Sequence, residues 1–266
     1  MVCDIQPSPS FAELTRPGIF TIPAGRPFAQ DLASGILAVV QRPEELAKIK
    51  ILLPSRRAAQ ALKTAFIQQS GGRALFLPEM QPIGDVDELD AEFLSLQLTA
   101  DELADLPPSA SMTDRHIVLA RLIQSRPVGG QLLSPAQSFR LAASLAQFLN
   151  QVYQSGGSLD DLDEAVIPSE FARHWADILT FLRIILQNWP EITRERGVMD
   201  PSARRLAMLD RQVQHWADQP PQTPVILAGS TGSLPKTIEI MRAIRQLPAG
   251  VLVFPGHDGQ AVDRMI

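Results

Sequence analysis

A short apolar run followed at once by a glycine-rich loop constrains the fold of this chain more than any other feature. Val225 to Ala228 lie between Pro224 and Gly229 and have the pattern of a strand buried on both faces. The loop that follows consists of Gly229, Ser230, Thr231, Gly232 and Ser233. A helix with apolar residues at three- to four-residue spacing comes next, with Ser233 as its expected N-cap. This unit predicts an open α/β sheet whose ligand sites lie beyond the carboxyl ends of the strands.

The same alternation occurs near the N-terminus. Apolar runs separated by amphipathic helical segments predict strands at Gly18–Ile22, Ile49–Leu53 and Ala74–Leu77, and a last strand at Val251–Phe254. Strands that alternate with helices through short loops predict a parallel sheet with right-handed crossovers.

A long stretch of helical periodicity interrupts this α/β pattern. Ser134 with Pro135 and Asp200 with Pro201 predict two helix starts, and Ser169 predicts a third. A stripe of Trp175, Trp189 and Trp216 is interpreted as the core of the helical block. The predicted segments are a polar tail at 1–17, α/β residues 18–84, a helical insertion at 85–222 and α/β residues 223–266, which end soon after a strand and predict a truncated domain.

The amino-acid composition excludes several classes of protein. The chain has 24 basic and 29 acidic residues, a net charge of -5, so no overall field draws it to nucleic acid or a membrane. A single cysteine, Cys3, excludes a disulfide framework and a multi-cysteine metal site and fits a reducing cytosol. No apolar run has the length of a membrane span, and the N-terminus lacks a signal-peptide pattern. We therefore expect a cytoplasmic protein with no membrane partner.

Three strand-end loops are candidates for phosphate or DNA contacts. The first contains Arg26, but Gly25-Arg26-Pro27 replaces the lysine end of a P-loop, so a structural turn is favoured. The second places Ser55, Arg56 and Arg57 at a helix start, where phosphate contact and a solvated arginine pair are equally good interpretations. The third, Gly229 to Ser233, has hydroxyls but follows Leu227-Ala228 with no magnesium carboxylate, and a tight turn is slightly favoured over a phosphate site.

Other polar groups give weaker signals. His257 and Asp258 are neighbours on a strand-end loop, and the acidic run from Asp85 to Asp105 is interpreted as a solvated face. No metal-binding motif or nucleophile elbow is present. We therefore predict no catalytic residue, no metal and no cofactor in this chain.

Several segments in order along the chain resemble the N-terminal part of AddB, the alphaproteobacterial double-strand break repair subunit of the AddAB helicase–nuclease. They are FTIPAGRPF (Phe20 to Phe28), ILLPSRRAAQALKTAF (Ile51 to Phe66), GDVDE (Gly84 to Glu88), VMDPSARRLAMLDRQ (Val198 to Gln212), PVILAGSTGSLPKT (Pro224 to Thr237) and LPAGVLVFPGHD (Leu247 to Asp258). The resemblance runs from Phe20 to Asp258, nearly the whole chain.

The resemblance implies a superfamily 1 helicase-like, P-loop-NTPase-like sheet interrupted by an all-helical subdomain. It also implies an AddA-type helicase–nuclease partner and binding to DNA ends or single-stranded DNA, with Ser55 to Ala59 in the place of a helicase motif that touches single-stranded DNA. The Walker A lysine and the magnesium carboxylates of an active helicase are missing, so an inactive scaffold is expected. Two alternatives stay open, a nucleotide- or phosphate-binding enzyme that uses Gly229 to Ser233, and a protein-interaction module.

Overall fold

The computed structural model describes residues 16–40, 42–83, 98–99, 103–125, 132–156 and 188–256. The chain divides into two compact units. The sheet unit comprises Met1–Gln97 and Leu209–Ile266, and the helical unit comprises Leu98–Met208. No helix among the described residues is both long enough and apolar enough to cross a bilayer.

Five short strands form one sheet in the sheet unit. They are β1 (Gly18–Ile22), β2 (Lys50–Leu53), β3 (Glu79–Pro82), β4 (Val225–Ala228) and β5 (Gly250–Pro255). Their order across the sheet is β1-β5-β4-β2-β3, and every neighbouring pair is parallel. In the register of the central strands, Ile226 lies opposite Ile51 on one side and Val251 on the other. The prediction of a parallel α/β sheet is confirmed.

The helices whose two ends lie among the described residues follow the expected periodicity. They are α1 (Phe28–Val39), α2 (Pro43–Leu46), α3 (Arg56–Gln69), α4 (Met112–Gln124), α5 (Pro135–Ser155), α6 (Pro201–Asp218) and α7 (Pro235–Gln246). Residues 188–195 are also helical. The helices α1, α2, α3 and α7 belong to the sheet unit, α4 and α5 to the helical unit, and α6 contains residues of both.

The two faces of the sheet are covered by different helices. Buried residues of α1 and α3 form one apolar cluster with Ile51, Ile226 and Val251, which lie on a single face of the sheet. The helix α7 contacts β4 and β5, and its buried residues lie outside that cluster. Because successive strand residues point to opposite faces, α7 covers the other face. Burial on both faces explains why β4 is apolar at every position.

The third strand lies elsewhere than the sequence predicts. The apolar run Ala74 to Leu77 is not a strand, and β3 begins five residues after Ala74, at Glu79. The amide of Glu79 donates to the carbonyl of Ile49 at 3.0 Å, so pairing with β2 begins there. Leu75 and Leu77 instead pack against the apolar cluster as irregular chain. The prediction was wrong because β3 is an edge strand, whose position depends on the hydrogen-bonding groups of β2 more than on its own apolarity.

In the helical unit, α4 and α5 pack together around a core of Leu119, Ile123, Leu145 and Leu149, which Trp189 joins. The predicted start of α5 is confirmed by a capping box, in which Ser134 and Gln137 bond each other's backbone amides. The start of α6 is also as predicted, because Oδ1 of Asp200 accepts from the amide of Ser202 at 2.9 Å. The helix predicted from Ser169, with Trp175, lies outside the described residues, and Trp216 falls in the sheet unit.

Candidate functional site

The carboxyl ends of β2 and β4 meet at a change in chain direction. These strands are neighbours, but β2 continues into α3 on one face of the sheet and β4 continues into α7 on the other. Diverging helices leave a crevice between the two loops, and ligands of open α/β sheets bind at such topological switch points. The topology therefore brings together the second and third candidate loops, residues 54–57 and 229–233.

The base of this crevice is apolar and closely packed. Gly229 has a φ of 77°, and its amide donates to the carbonyl of Val253 at 2.9 Å. A Cβ atom on Gly229 would lie 3.2 Å from Cε1 of Phe28 and 3.7 Å from Cδ of Pro54. Glycine suits this position for both reasons, its positive φ and the close approach of Phe28. The ring at the start of α1 thus packs directly under the third loop.

Arg26 in the first loop has a local partner. Its Nε donates to Oδ2 of Asp31, and its Nη2 lies 3.1 Å from Oδ1 of the same carboxylate. The hydrogen bond from Arg26 holds the pKa of Asp31 below its ordinary value. Pro27 precedes α1, and no side chain caps that helix. Arg26 therefore closes a turn between the end of β1 and the first turn of α1.

Ser55, Arg56 and Arg57 lie at the start of α3, as the sequence predicts, but their roles differ. Ser55 is the N-cap, and its Oγ accepts from the amide of Ala58 at 3.2 Å. Such a cap stabilises a helix by about 1 kcal/mol, so the hydroxyl has a structural role. Arg56 and Arg57 are exposed in the first turn, beside the helix N-terminus. Two guanidiniums at this position form a surface that suits a phosphate group.

The glycine-rich loop after β4 is irregular chain with an exposed polar side. Gly229 and Gly232 both have positive φ, and the amide of Gly232 lies 3.5 Å from Oγ of Ser230. Thr231 and Ser233 are exposed. The predicted N-cap was wrong, because Leu234 occupies that position and makes no side-chain cap. Pro235 at the first position needs no amide partner, so α7 begins without a hydroxyl cap.

Lys236 beside this loop is engaged in ion pairs. Its Nζ lies 2.6 Å from Oδ1 of Asp210 and also contacts Oε2 of Glu239. Partial burial lowers the pKa of Lys236, but the hydrogen bonds to Asp210 and Glu239 outweigh it and leave the pKa above its ordinary value. Lys236 is therefore a charged anchor between α6 and α7, and not a free cation at the loop.

Asp85, Asp87, His257 and Asp258 lie outside the described residues. Within the described part of the chain, no three His, Cys, Asp or Glu side chains are grouped as metal ligands.

Two features were missed in the sequence. Phe28 and Pro54 pack against Gly229, a contact that no sequence pattern indicates, although both residues lie next to strand ends. In the helical unit, Arg115 is fully buried and its Nη2 lies 3.0 Å from Oδ2 of Asp200. The signal for Arg115 was its place on the apolar stripe that continues through Val118 and Leu119.

A polar cluster surrounds this buried ion pair. Nη1 of Arg115 donates to Oδ1 of Asn150 at 2.7 Å, and Nε1 of Trp189 donates to Oδ2 of Asp200 at 2.9 Å. Burial raises the pKa of Tyr153 to about 12, with the charge of Asp200 adding to the rise and that of Arg115 opposing it. The cluster joins α4, α5 and the start of α6 inside the helical unit.

Comparison with known proteins does not assign this chain to a family. The chain matches no protein-family model, and no curated protein is significantly similar to its sequence.

Proposed function

We propose that this chain is a non-catalytic, helicase-like region of an AddB-type subunit that serves as a scaffold and contacts the DNA backbone in double-strand break repair. The observation that carries the proposal is the pair of exposed arginines, Arg56 and Arg57, at the switch point of a parallel sheet. Arginines and helix N-termini are the usual partners of nucleic-acid phosphates. A net charge of -5 makes a local contact of this kind the natural mode of DNA binding for the chain.

The residues that follow β1 and those that end β4 favour a scaffold over an ATPase. A P-loop cradles phosphates with glycine amides, a lysine and a hydroxyl at the start of the first helix. Here that start has Pro27, which lacks an amide hydrogen, and Phe28, whose ring packs on Gly229. The strand that would carry magnesium ligands ends in Leu227 and Ala228, both buried. These groups argue against nucleotide turnover at this edge of the sheet, which is why we propose a scaffold that contacts DNA without hydrolysing ATP.

The partner and the DNA substrate follow from the sequence resemblance. We propose an AddA-type helicase–nuclease subunit as the partner and single-stranded DNA near a DNA end as the ligand. The exposed hydroxyls of Thr231 and Ser233 lie on the loop that neighbours Arg56 and Arg57 across the crevice. Hydroxyls and guanidiniums together suit a sugar–phosphate backbone without selecting a base.

Arg57→Ala combined with Arg56→Ala is expected to weaken binding to single-stranded DNA by about tenfold or more, because charge-assisted hydrogen bonds to phosphate are lost. Binding is measured by fluorescence anisotropy with a labelled oligonucleotide at several salt concentrations. The slope of log K against log salt is expected to fall in magnitude by about 1.4, since each phosphate contact to a single strand contributes about 0.7.

Arg245→Ala is the control for the loss of one exposed charge, half of the charge that the double variant removes. Arg245 is exposed in the last turn of α7, which runs back from the carboxyl edge of the sheet, so it lies near the opposite edge. It should leave both affinity and salt slope nearly unchanged. Equal losses in the arginine pair and in Arg245→Ala would contradict the proposed site. Saturable ATP turnover that Thr231→Ala or Lys236→Ala abolishes would instead favour a nucleotide enzyme. If the variant that combines Arg56→Ala with Arg57→Ala kept both its binding to DNA and its binding to a partner subunit, a protein-interaction module would be favoured.

A further inference from the structure

The helical unit contains a cavity that the proposed function does not use. Its volume is about 480 Å³, within the range of small-molecule sites. The floor is formed by Ala110, Arg115, Val118, Trp189 and Thr193, all of which are buried. Ser111, Asp114 and Arg196 are exposed at its rim. The cavity is therefore a funnel with a mixed apolar and polar floor and charges at the mouth.

The floor is held in one arrangement by hydrogen bonds. Trp189 is fixed through Nε1 to Asp200, and Thr193 Oγ1 donates to the carbonyl of Trp189 at 3.1 Å. The guanidinium of Arg115 is fixed by Asp200, by Asn150 and by the carbonyl of Ala146 at 3.2 Å. A preformed floor lowers the entropy lost on binding, so even a small ligand can gain from it.

A pair of extended segments lies beside the mouth. Ser109 and Met199 form a parallel bridge, in which the amide of Met199 donates to the carbonyl of Pro108 at 2.9 Å and that of Ala110 donates to Met199 at 2.9 Å. These bonds fix Ser109 and Val198, which both line the cavity, at a constant separation. The opening is therefore supported by backbone hydrogen bonds on this side.

Of the charged side chains that line the cavity, some have a partner of opposite charge and others do not. Arg115 is neutralised by Asp200. Asp114 accepts a hydrogen bond from Oγ of Ser111 at 2.8 Å. Among the described residues, the side chain of Arg196 has neither a hydrogen bond nor an ion pair, whereas its neighbour Arg194 is paired with Glu191 at 3.1 Å. Arg196 is thus the cation at the rim whose charge no described partner neutralises, so it can bind an anionic group of a ligand. The negative charge of Asp114 disfavours a ligand that carries more than one negative charge.

We propose that this cavity binds a small molecule with an apolar body and a single carboxylate. The apolar body would lie against Val118, Trp189 and Ile192, and the carboxylate would bind Arg196, whose planar guanidinium matches carboxylate geometry. A monoanion is preferred because a second negative charge would be repelled by Asp114. The site lies wholly within the helical unit and makes no use of the sheet loops.

The test uses 4-fluorophenylacetate as the probe, with binding to the full chain followed by fluorine NMR titration. The neutral amide, 4-fluorophenylacetamide, and the more highly charged 4-fluorophenyl phosphate are compared with it. We expect saturable binding of the carboxylate, with the amide and the phosphate each about tenfold weaker, since one lacks the charge and the other carries too much.

Three variants test the roles of the charged side chains at the rim of the cavity. Arg196→Ala should weaken binding of 4-fluorophenylacetate about tenfold, whereas Arg194→Ala, the matched control at a neighbouring exposed arginine, should leave it unchanged. Asp114→Asn should strengthen carboxylate binding by about threefold and raise that of the phosphate more, because it removes the repulsive charge. Absence of saturable binding, equal binding of acid and amide, or equal effects of Arg196→Ala and Arg194→Ala would overturn the proposal. An unchanged far-UV circular dichroism spectrum confirms that each variant is folded.

Discussion

Gly250→Ala is expected to destabilise the sheet unit by about 3 kcal/mol or more, because the position has no room for a methyl group. A Cβ atom on Gly250 would lie 1.7 Å from the carbonyl oxygen of Ile244 and 2.7 Å from its carbonyl carbon. These are backbone atoms of the last turn of α7, so no side-chain rotation relieves the overlap. Movement of the strand also has a cost, since Gly250 begins β5 and is paired in register with Val225. Either β5 or the end of α7 must move.

Amide hydrogen exchange read by mass spectrometry measures this effect locally. Peptides from β4 and β5 should lose protection by about a hundredfold or more, since each 1.4 kcal/mol is a factor of ten. Gly35→Ala is the matched control, because a Cβ there meets nothing within 4 Å and Gly35 lies inside α1. That variant should be neutral or stabilising by up to about 1 kcal/mol, as expected for glycine replaced in a helix. Similar protection in the two variants would contradict the packing of α7 on β5.

Arg115→Met is expected to destabilise the helical unit by about 3 to 5 kcal/mol. The side chains of Arg115 and Asp200 are 0% and 2% exposed, so removal of the cation leaves a buried carboxylate uncompensated. Methionine retains most of the apolar stem, which separates loss of charge from loss of volume. The hydrogen bonds of Arg115 to Asn150 and to the carbonyl of Ala146 are lost at the same time.

Hydrogen exchange in peptides from α4 and α5 reports this loss, and peptides from β4 and β5 serve as the internal reference. Addition of Asp200→Asn should restore part of the protection, because no charge is then left buried and the amide oxygen can still accept from the amide of Ser202 at the start of α6. Arg194→Met, which breaks an exposed pair with Glu191, should cost less than about 1 kcal/mol. If Arg115→Met were no more damaging than Arg194→Met, the buried pair would not stabilise the unit.

The parts of the fold that local patterns encode were predictable. Val225 to Ala228 is apolar at every position, and such a run bounded by proline and glycine has few alternatives to a buried strand. Ser134, Pro135 and Gln137 form a cap from adjacent residues, so no distant information was needed. The positions of Arg56 and Arg57 at a helix start were predictable for the same reason.

The parts that depend on distant chain were not predictable. β3 begins at Glu79 because its backbone must meet β2, and its own residues do not mark that point. The partner of Arg115 is Asp200, 85 positions away, and no periodicity connects the two. At the candidate site, the sequence indicates glycine at 229 but not that Phe28 and Pro54 approach it. Local sequence patterns also do not predict the order of the strands in the sheet. That order places the loops after β2 and β4 at the same crevice.

Site-specific cross-linking tests the central proposal, that DNA lies along the carboxyl edge of the sheet at the crevice between β2 and β4. A photoreactive benzoyl-phenylalanine is placed at Thr231, which is exposed on the loop after β4, or at Gln246, which is exposed at the far end of α7. We expect position 231 to cross-link a labelled single-stranded oligonucleotide, with loss of the product in the Arg56→Ala, Arg57→Ala background, and position 246 to give little product. Equal yields at the two positions, or DNA binding with no product at 231, would contradict the proposal.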